Sequence, residues 1–197
     1  MTKISKPAET SASLSPAISE RFSPRIYDTE HVISEAEIAS LGEAFRWAPS
    51  SSNQQPWRVV FLRRDSELFR AVSERGLTGF NQSWAPAASL YAVVLAHKFQ
   101  EEKPRNQAAT YFDLGLASQQ MVLQAESMGL RSHYMGGIVH DEISSILGAD
   151  EFWVVCVIAI GMQGNLESGT PETIEREQLK RTRKDSTAVY SVDSKLN

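Results

Sequence analysis

Apolar positions along this chain alternate between a period near 3.6 and short β-branched runs, and the switches predict its elements. A short helix is predicted over residues 16–22, with Ser15 as N-cap and Pro16 in its first turn; Pro24 ends it by disfavouring helical geometry at Ser23. Ser34-Glu35-Ala36-Glu37 is a capping box, and Ile38, Leu41, Ala44 and Phe45 follow at helical spacing. Residues 57–62 (Trp-Arg-Val-Val-Phe-Leu) predict a strand. A helix over 65–75 presents Leu68, Phe69 and Val72 and is closed by Gly76. Residues 88–96 are mostly apolar and predict a central strand.

The longest helical pattern, 107–128, stops at Gly129. Its apolar residues cover more than one stripe, so it is expected to be buried against both its own sheet and a partner subunit. Gly115, Ala117 and Ser118 would allow a close helix approach there. Strands over 130–135 and 152–162, a helix over 141–147 capped by Asp141, and a last helix over 171–180 complete the pattern. Helices alternate with strands, which means an α/β or α+β class around one sheet.

Composition narrows the function. The 197 residues carry a formal net charge of −4, 42% hydrophobic and 22% charged residues, as one soluble domain of ordinary size does. A general nucleic-acid binder would show a basic stripe instead. A single cysteine leaves no internal disulfide and fits a reducing cytoplasm; Cys156, in an apolar run, reads as a small buried hydrophobe. No stretch approaches the roughly 20 apolar residues that a membrane span needs. Residues 1–14, rich in Ser, Thr, Ala and Pro, read as a flexible or loosely docked arm before a single domain over 15–197. His31, His97, His133 and His140 lack metal-ligand spacing, so no metal site is expected. Nor is there a G-x-S-x-G elbow, a complete dinucleotide fingerprint or a Walker A pattern.

One stretch stands out chemically. Ala48-Pro49-Ser50-Ser51-Ser52-Asn53-Gln54-Gln55-Pro56-Trp57 packs uncharged hydrogen-bonding groups between two prolines. It reads either as a solvated loop or as a rigid loop presenting donors to a planar polar ligand. Elsewhere, Arg21, Ser23 and Arg25 alternate in a proline-fixed segment, so their side chains can share one side, and arginine forks match phosphate oxygens. Arg181 and Arg183 repeat that spacing. Asn81 offers a donor and an acceptor, and Gly136-Gly137 lets backbone approach a ring closely.

These pieces, in this order, resemble the nitroreductase family of FMN-dependent oxidoreductases over nearly the whole chain after the arm. Arg21-Phe22-Ser23-Pro24-Arg25 is similar to the family's R-x-S-x-R segment. Residues 46–57 are similar to its A-P-S-x-x-N-x-Q-P-W signature, the most specific match. Asn81-Gln82-Ser83-Trp84-Ala85, the 115–137 stretch ending in Met135-Gly136-Gly137, and Arg181-Thr182-Arg183-Lys184 resemble further elements.

The resemblance implies an α+β sandwich, a central mainly antiparallel sheet flanked by helices, in an intertwined homodimer with two FMN sites at its interface. On it, Arg21, Ser23, Arg181 and Arg183 would hold the phosphate and ribityl chain, with Phe22 contributing backbone alone. Asn81 would bond the isoalloxazine edge. Pro49, Ser50, Ser51 and Asn53 would reach the partner's flavin. The Gly136 N–H would point at flavin N5, with Gly137 beside it. Arg25 would sit as a fixed cation near N1 and the C2 carbonyl, where the reduced ring is negative. Trp84 stands where some members carry a lysine, and Asp185 where a proline is usual.

The implied reaction passes hydride from NADH or NADPH through the flavin to a nitroaromatic, a quinone or another small acceptor, with no side chain named as catalytic. Two alternatives stand beside it: oxidation of a specific metabolite with dioxygen as acceptor, and a non-catalytic flavin-binding dimer.

Overall fold

The computed structural model describes residues 3–98 and 106–193. In chain order its main elements are α1 (Pro16–Ser19), α2 (Glu35–Arg46), β1 (Trp57–Arg63), α3 (Glu67–Ala71), α4 (Asn81–Trp84), β2 (Leu90–His97), α5 (Gln107–Ser127), β3 (Arg131–Met135), α6 (His140–Leu147), β4 (Phe152–Gly161) and α7 (Pro171–Gln178). The four strands form one antiparallel sheet in the order β1-β2-β4-β3. The class is α+β, one of the two that the pattern allows and the one that the resemblance implies.

Alternation along the strands divides the core in two. Leu90, Ala92, Val94, Ala96, Ile158 and Ile160 face a layer built by Leu41 and Phe45 of α2 and by Leu114, Ala117, Met121, Val122 and Ala125 of α5. Tyr91, Val93, Leu95, Val157 and Ala159 face the other layer, which includes Phe69, Val72, Leu77, Trp84 and Ile143. Residues 90–96 are all buried because β2 is central and both its faces are covered. β3 closes one side of the sheet as an edge strand.

Local signals set most boundaries. The Ser34 hydroxyl accepts from Glu37 N–H (3.2 Å) while the Ser34 N–H donates to the Glu37 carboxylate (2.7 Å), completing the capping box of α2. The Asn106 side chain caps α5, and Gly129 (φ +78°) turns the chain left-handed after it.

Other expectations need correction. α1 is one turn shorter than its pattern, and the Ser15 side chain makes no capping bond. The helix expected over 65–75 is capped by Ser66, leaves α-geometry at Ala71 and continues as a π-type turn over Val72–Gly76. Gly76 does not close it with a left-handed turn; a Cβ there would lie 2.6 Å from Ile143, so its role is close packing against α6. α6 begins at His140 with Val139 as N-cap, which places Asp141 inside the first turn, and α7 ends at Gln178. Cys156 is half-buried, and burial pushes its thiol up to about 12.

Candidate functional site

The segment 21–25 carries the period-2 pattern that its sequence promises. Phe22, Pro24 and Ile26 are buried, while Arg21, Ser23 and Arg25 alternate with them on the accessible side. Phe22 is a core residue, 4% exposed, so its backbone alone is open to a ligand. The Arg21 guanidinium donates to the Ser23 hydroxyl (3.3 Å). Among the described residues, the Arg25 guanidinium makes no hydrogen bond and no ion pair. Its backbone N–H donates to the Glu177 carboxylate (3.2 Å).

Other parts of the chain bring more cations here. Arg181 donates to the Lys6 carbonyl (2.5 Å) and the Ser19 carbonyl (3.0 Å). Burial, then the repulsion of Arg21 and Arg183, holds Arg181 below the usual guanidinium range. Arg183 is exposed and, among the described residues, bonds the neighbouring Thr182 carbonyl (2.7 Å). The carboxylates nearby do not balance this charge. Glu126 is paired to Arg131, and Glu177 is buried, its Oε1 without a hydrogen-bond partner among the described residues. Burial raises both carboxyls above the usual range.

β3 links this cluster to the glycine pair. Arg131 at its start bonds the Glu20 carbonyl and Glu126. His133, two residues on, has its Nδ1 2.8 Å from the Pro24 carbonyl and its ring 4.4 Å from Trp84. Burial pushes the His133 imidazole down to about 4, so the ring is neutral and its Nδ1–H donates. Trp84 is 3% exposed between His133 and Tyr27, so it does not stand in for a lysine at the surface.

Gly136 and Gly137 follow the end of β3 and are exposed. The Gly137 carbonyl accepts from Thr78 N–H (3.0 Å) and from the Asn81 side chain (3.2 Å), which pins the pair. A Cβ on Gly137 would come within 3.0 Å of that Asn81 nitrogen, whereas one on Gly136 would meet nothing within 4 Å. Five residues of strand separate Arg131 from Gly136, about 16 Å at ~3.3 Å per residue. A cationic end and an open glycine end therefore lie along one sheet edge.

The 48–57 loop is elsewhere. Asn53 N–H donates to the Ser50 carbonyl, Gln55 N–H to the Ser50 hydroxyl (3.0 Å), and the Gln55 amide to Asn53 Oδ1 (3.0 Å). Ser52, Asn53 and Gln55 all hold left-handed backbone (φ +52°, +53°, +48°) with no glycine among them. Such residues are strained, and runs of them mark shaped loops. Pro49 and residues 51–55 are exposed and Ser50 partly so; Pro56 and Trp57 anchor the end in the core, Trp57 edge-on to Phe45. Ser51 N–H donates to Asp113 near the start of α5 (3.0 Å). Arg21 acts electrostatically on Glu126 near the end of that helix. Thirteen residues of helix, about 20 Å, lie between those two anchor points.

Of the residues singled out in the sequence, the structure brings together Arg21, Ser23, Arg25 and Arg181 at one place, with Gly136 and Gly137 beyond the far end of β3, Asn81 of α4 bonded to Gly137, and Arg183 at the exposed rim. It does not bring Pro49, Ser50, Ser51 and Asn53 to them within one chain. The sequence reading missed Lys6, Glu177 and His133. Glu177 sits in the charged run Glu175-Arg176-Glu177, which reads as solvated, and nothing local marks its burial.

A family model described as the nitroreductase family matches residues 18–93 and 70–162. The chain belongs to the nitroreductase family. A relative in Archaeoglobus fulgidus, provisionally named an NADH dehydrogenase/NAD(P)H nitroreductase, is 30% identical over 146 residues, 72% of this chain and 80% of its own. An oxygen-insensitive NADPH nitroreductase of Helicobacter pylori is 30% identical over 87 residues, 44% of this chain and 40% of its own. A crystal structure described as an oxidoreductase containing FMN superposes with a TM-score of 0.87 at 30% identity, covering 100% of this chain and 99% of that one. The nitroreductase fold is thus shared from end to end. No helix among the described residues is long and apolar enough to cross a membrane.

Proposed function

We propose that this member of the nitroreductase family is an FMN-dependent NAD(P)H oxidoreductase working as a homodimer, with a small molecule as electron acceptor. The observation that carries the reading is the edge of β3, where crowded cations at one end face an open, pinned glycine pair at the other. Unbalanced positive charge calls for an anion, and a phosphate monoester fits arginine forks and a serine hydroxyl. Arg21, Ser23, Arg181 and the rim residue Arg183 hold that phosphate. Along the strand, the side of Gly136 that a Cβ would fill is open, so a flat ring lies against backbone there.

FMN bound here would supply the two-electron chemistry between a nicotinamide donor and an acceptor; the protein supplies position and charge. Arg25, its guanidinium uncommitted, is the fixed cation for the electron-rich end of the ring. Asn81 acts through Gly137: its amide fixes the backbone on which the ring rests. Neutral His133 and buried Trp84 keep the 21–25 segment in register with β3 and take no proton from the substrate.

The homodimer follows from reach. The loop residues Pro49, Ser50, Ser51 and Asn53 are wholly or partly exposed and about 20 Å along α5 from the cation cluster. A second copy lets them complete the neighbour's site. Phe112 is 68% exposed beside that loop, and Gly115, on the same outer face of α5, is open for a close helix approach. Relatives named for NAD(P)H and a similar structure containing FMN support the donor and the cofactor of this reading.

The test is direct. Purified protein should be yellow or take up FMN, and anaerobic NADH or NADPH should bleach its visible flavin absorption. A colourless protein that takes up no FMN overturns the reading, as does a bound flavin that neither nicotinamide bleaches.

A further inference from the structure

The arm is docked where the cations are. Gln163 donates to the Ile4 carbonyl (2.8 Å), Ala8 N–H to the Ser19 carbonyl (2.7 Å), and Lys180 pairs with Glu9 (2.9 Å). Ile4, Lys6 and Ala8 turn inward, while Lys3, Ser5 and Pro7 face out, as an extended strap over a surface requires. At its centre, the Lys6 carbonyl is one of the two acceptors that hold Arg181, the other being the Ser19 carbonyl. The Lys6 ammonium lies 5.5 Å from the centre of the Phe22 ring, between the two arginines of the 21–25 segment in sequence.

Lys6, Glu177 and Arg181 also line one cavity of about 560 Å³ between the arm and the end of α7. Burial lowers the Lys6 ammonium from its usual range; Glu177 pulls against this, while Arg25 and Arg181 add to it. Among the described residues no ion pair relieves that crowding, for Glu177 spends one oxygen on Arg25 N–H and its other oxygen has no hydrogen-bond partner. A lysine placed merely to hold an arm down would be expected to close on that carboxylate.

We propose that Lys6 is a further phosphate-binding residue, carried by the N-terminal arm, which closes over the phosphate end of the cofactor site and holds Arg181 toward it. This rests on the FMN reading above. A dianionic phosphate among Arg21, Arg181 and Lys6 neutralises charges that otherwise repel, and the lysine reaches it as a point charge on a flexible stem. The arm is then part of the binding site, and its docking and cofactor retention strengthen each other.

The experiment titrates full-length, deflavinated protein with FMN and, separately, with riboflavin, which lacks the phosphate. Lys6→Met removes the charge but keeps the stem on Phe22 and the carbonyl that Arg181 uses. FMN affinity should fall about tenfold or more, as for one charge-assisted contact. Riboflavin affinity should stay unchanged, and Lys6→Arg should restore most of the FMN affinity. If Lys6→Met binds FMN as tightly as the unaltered protein, or loses FMN and riboflavin equally, the proposal is overturned while the functional reading stands. If the unaltered protein takes up no FMN at all, the functional reading falls and this one with it.

Discussion

The 21–25 segment and the 48–57 loop carry the two strongest signals in the chain, and they are built in opposite ways. The first is over-determined: its odd positions face out because its even ones are in the core, and its neighbours Glu177, His133 and Arg131 fix the backbone. It is charged, half-buried and complete within its own chain. The second is uncharged and largely exposed, is held by bonds to itself, to Asp113 and at its end to His97 N–H, and carries three strained residues. A loop with nothing to bind would have no reason to keep such strain where glycine would remove it. On the proposed homodimer, the contrast means a site split by type: charge and strand edge from one chain, shaped polar backbone from another.

The largest expected effect comes from separating the halves. Phe112→Asp places a charge on the exposed outer face of α5 and leaves its buried face untouched. The variant should keep its circular dichroism spectrum and elute as a monomer. Its FMN affinity should fall about a hundredfold, the loss of two hydrogen bonds at the upper end of their ~0.5–1.5 kcal/mol range. Co-measured elution and flavin content decide it. A monomer that keeps FMN with unaltered affinity would show that the loop belongs to no neighbour's site and would dissolve the comparison.

The second effect is confined to the 21–25 side, and it concerns pH. His133 sits at about 4 in the folded chain against ~6.5 unfolded, so the unfolded state binds more protons between those values. Its neutral ring therefore contributes stability fully above pH 6.5, and that contribution is lost as pH falls toward 4, by up to about 3 kcal/mol. Buried Glu126 and Glu177, with raised carboxyls, act in the opposite sense and gain on acidification. His133→Phe keeps a ring against Trp84 and does not titrate. Urea midpoints measured from pH 7 to pH 4 should fall more steeply for the unaltered protein than for His133→Phe. Parallel curves would mean that the 21–25 segment is not pinned through a neutral His133.

What the sequence made legible follows from how local each cause is. Strand and helix identities rested on periodicity, and the Ser34–Glu37 box on four residues, so both could be read directly. The out-facing set Arg21, Ser23 and Arg25 followed from Pro24 and period 2. The π-type turn at Val72–Gly76 could not, because its packing partner Ile143 lies 67 residues beyond Gly76. Lys6 and Glu177 were illegible for the same reason: an arm that looks solvated and a helix that looks charged become site walls only when packed on each other. The loop was legible as chemistry and not as shape, since Ser52, Asn53 and Gln55 adopt the left-handed region without the glycine that would announce it.

That last point gives the smallest and most local test. Ser52 holds φ +52°, ψ +26°, is exposed, and its side chain makes no hydrogen bond among the described residues. A left-handed non-glycine residue costs roughly 1–2 kcal/mol, and a glycine there would be relieved of it. Glycine also loosens the unfolded chain, which costs ~0.4–1 kcal/mol. The balance favours Ser52→Gly by about 0.5–1 kcal/mol, a small upward shift in the urea midpoint with an unchanged slope. If the strain serves to present the loop to a neighbouring copy, the same variant should hold FMN more weakly while being more stable. A change of the same kind in the 21–25 segment, Ser23→Gly, relieves no left-handed strain and should lower stability. Opposite signs for glycine at these two serines would express the difference between the halves in one pair of denaturation curves; like signs would erase it.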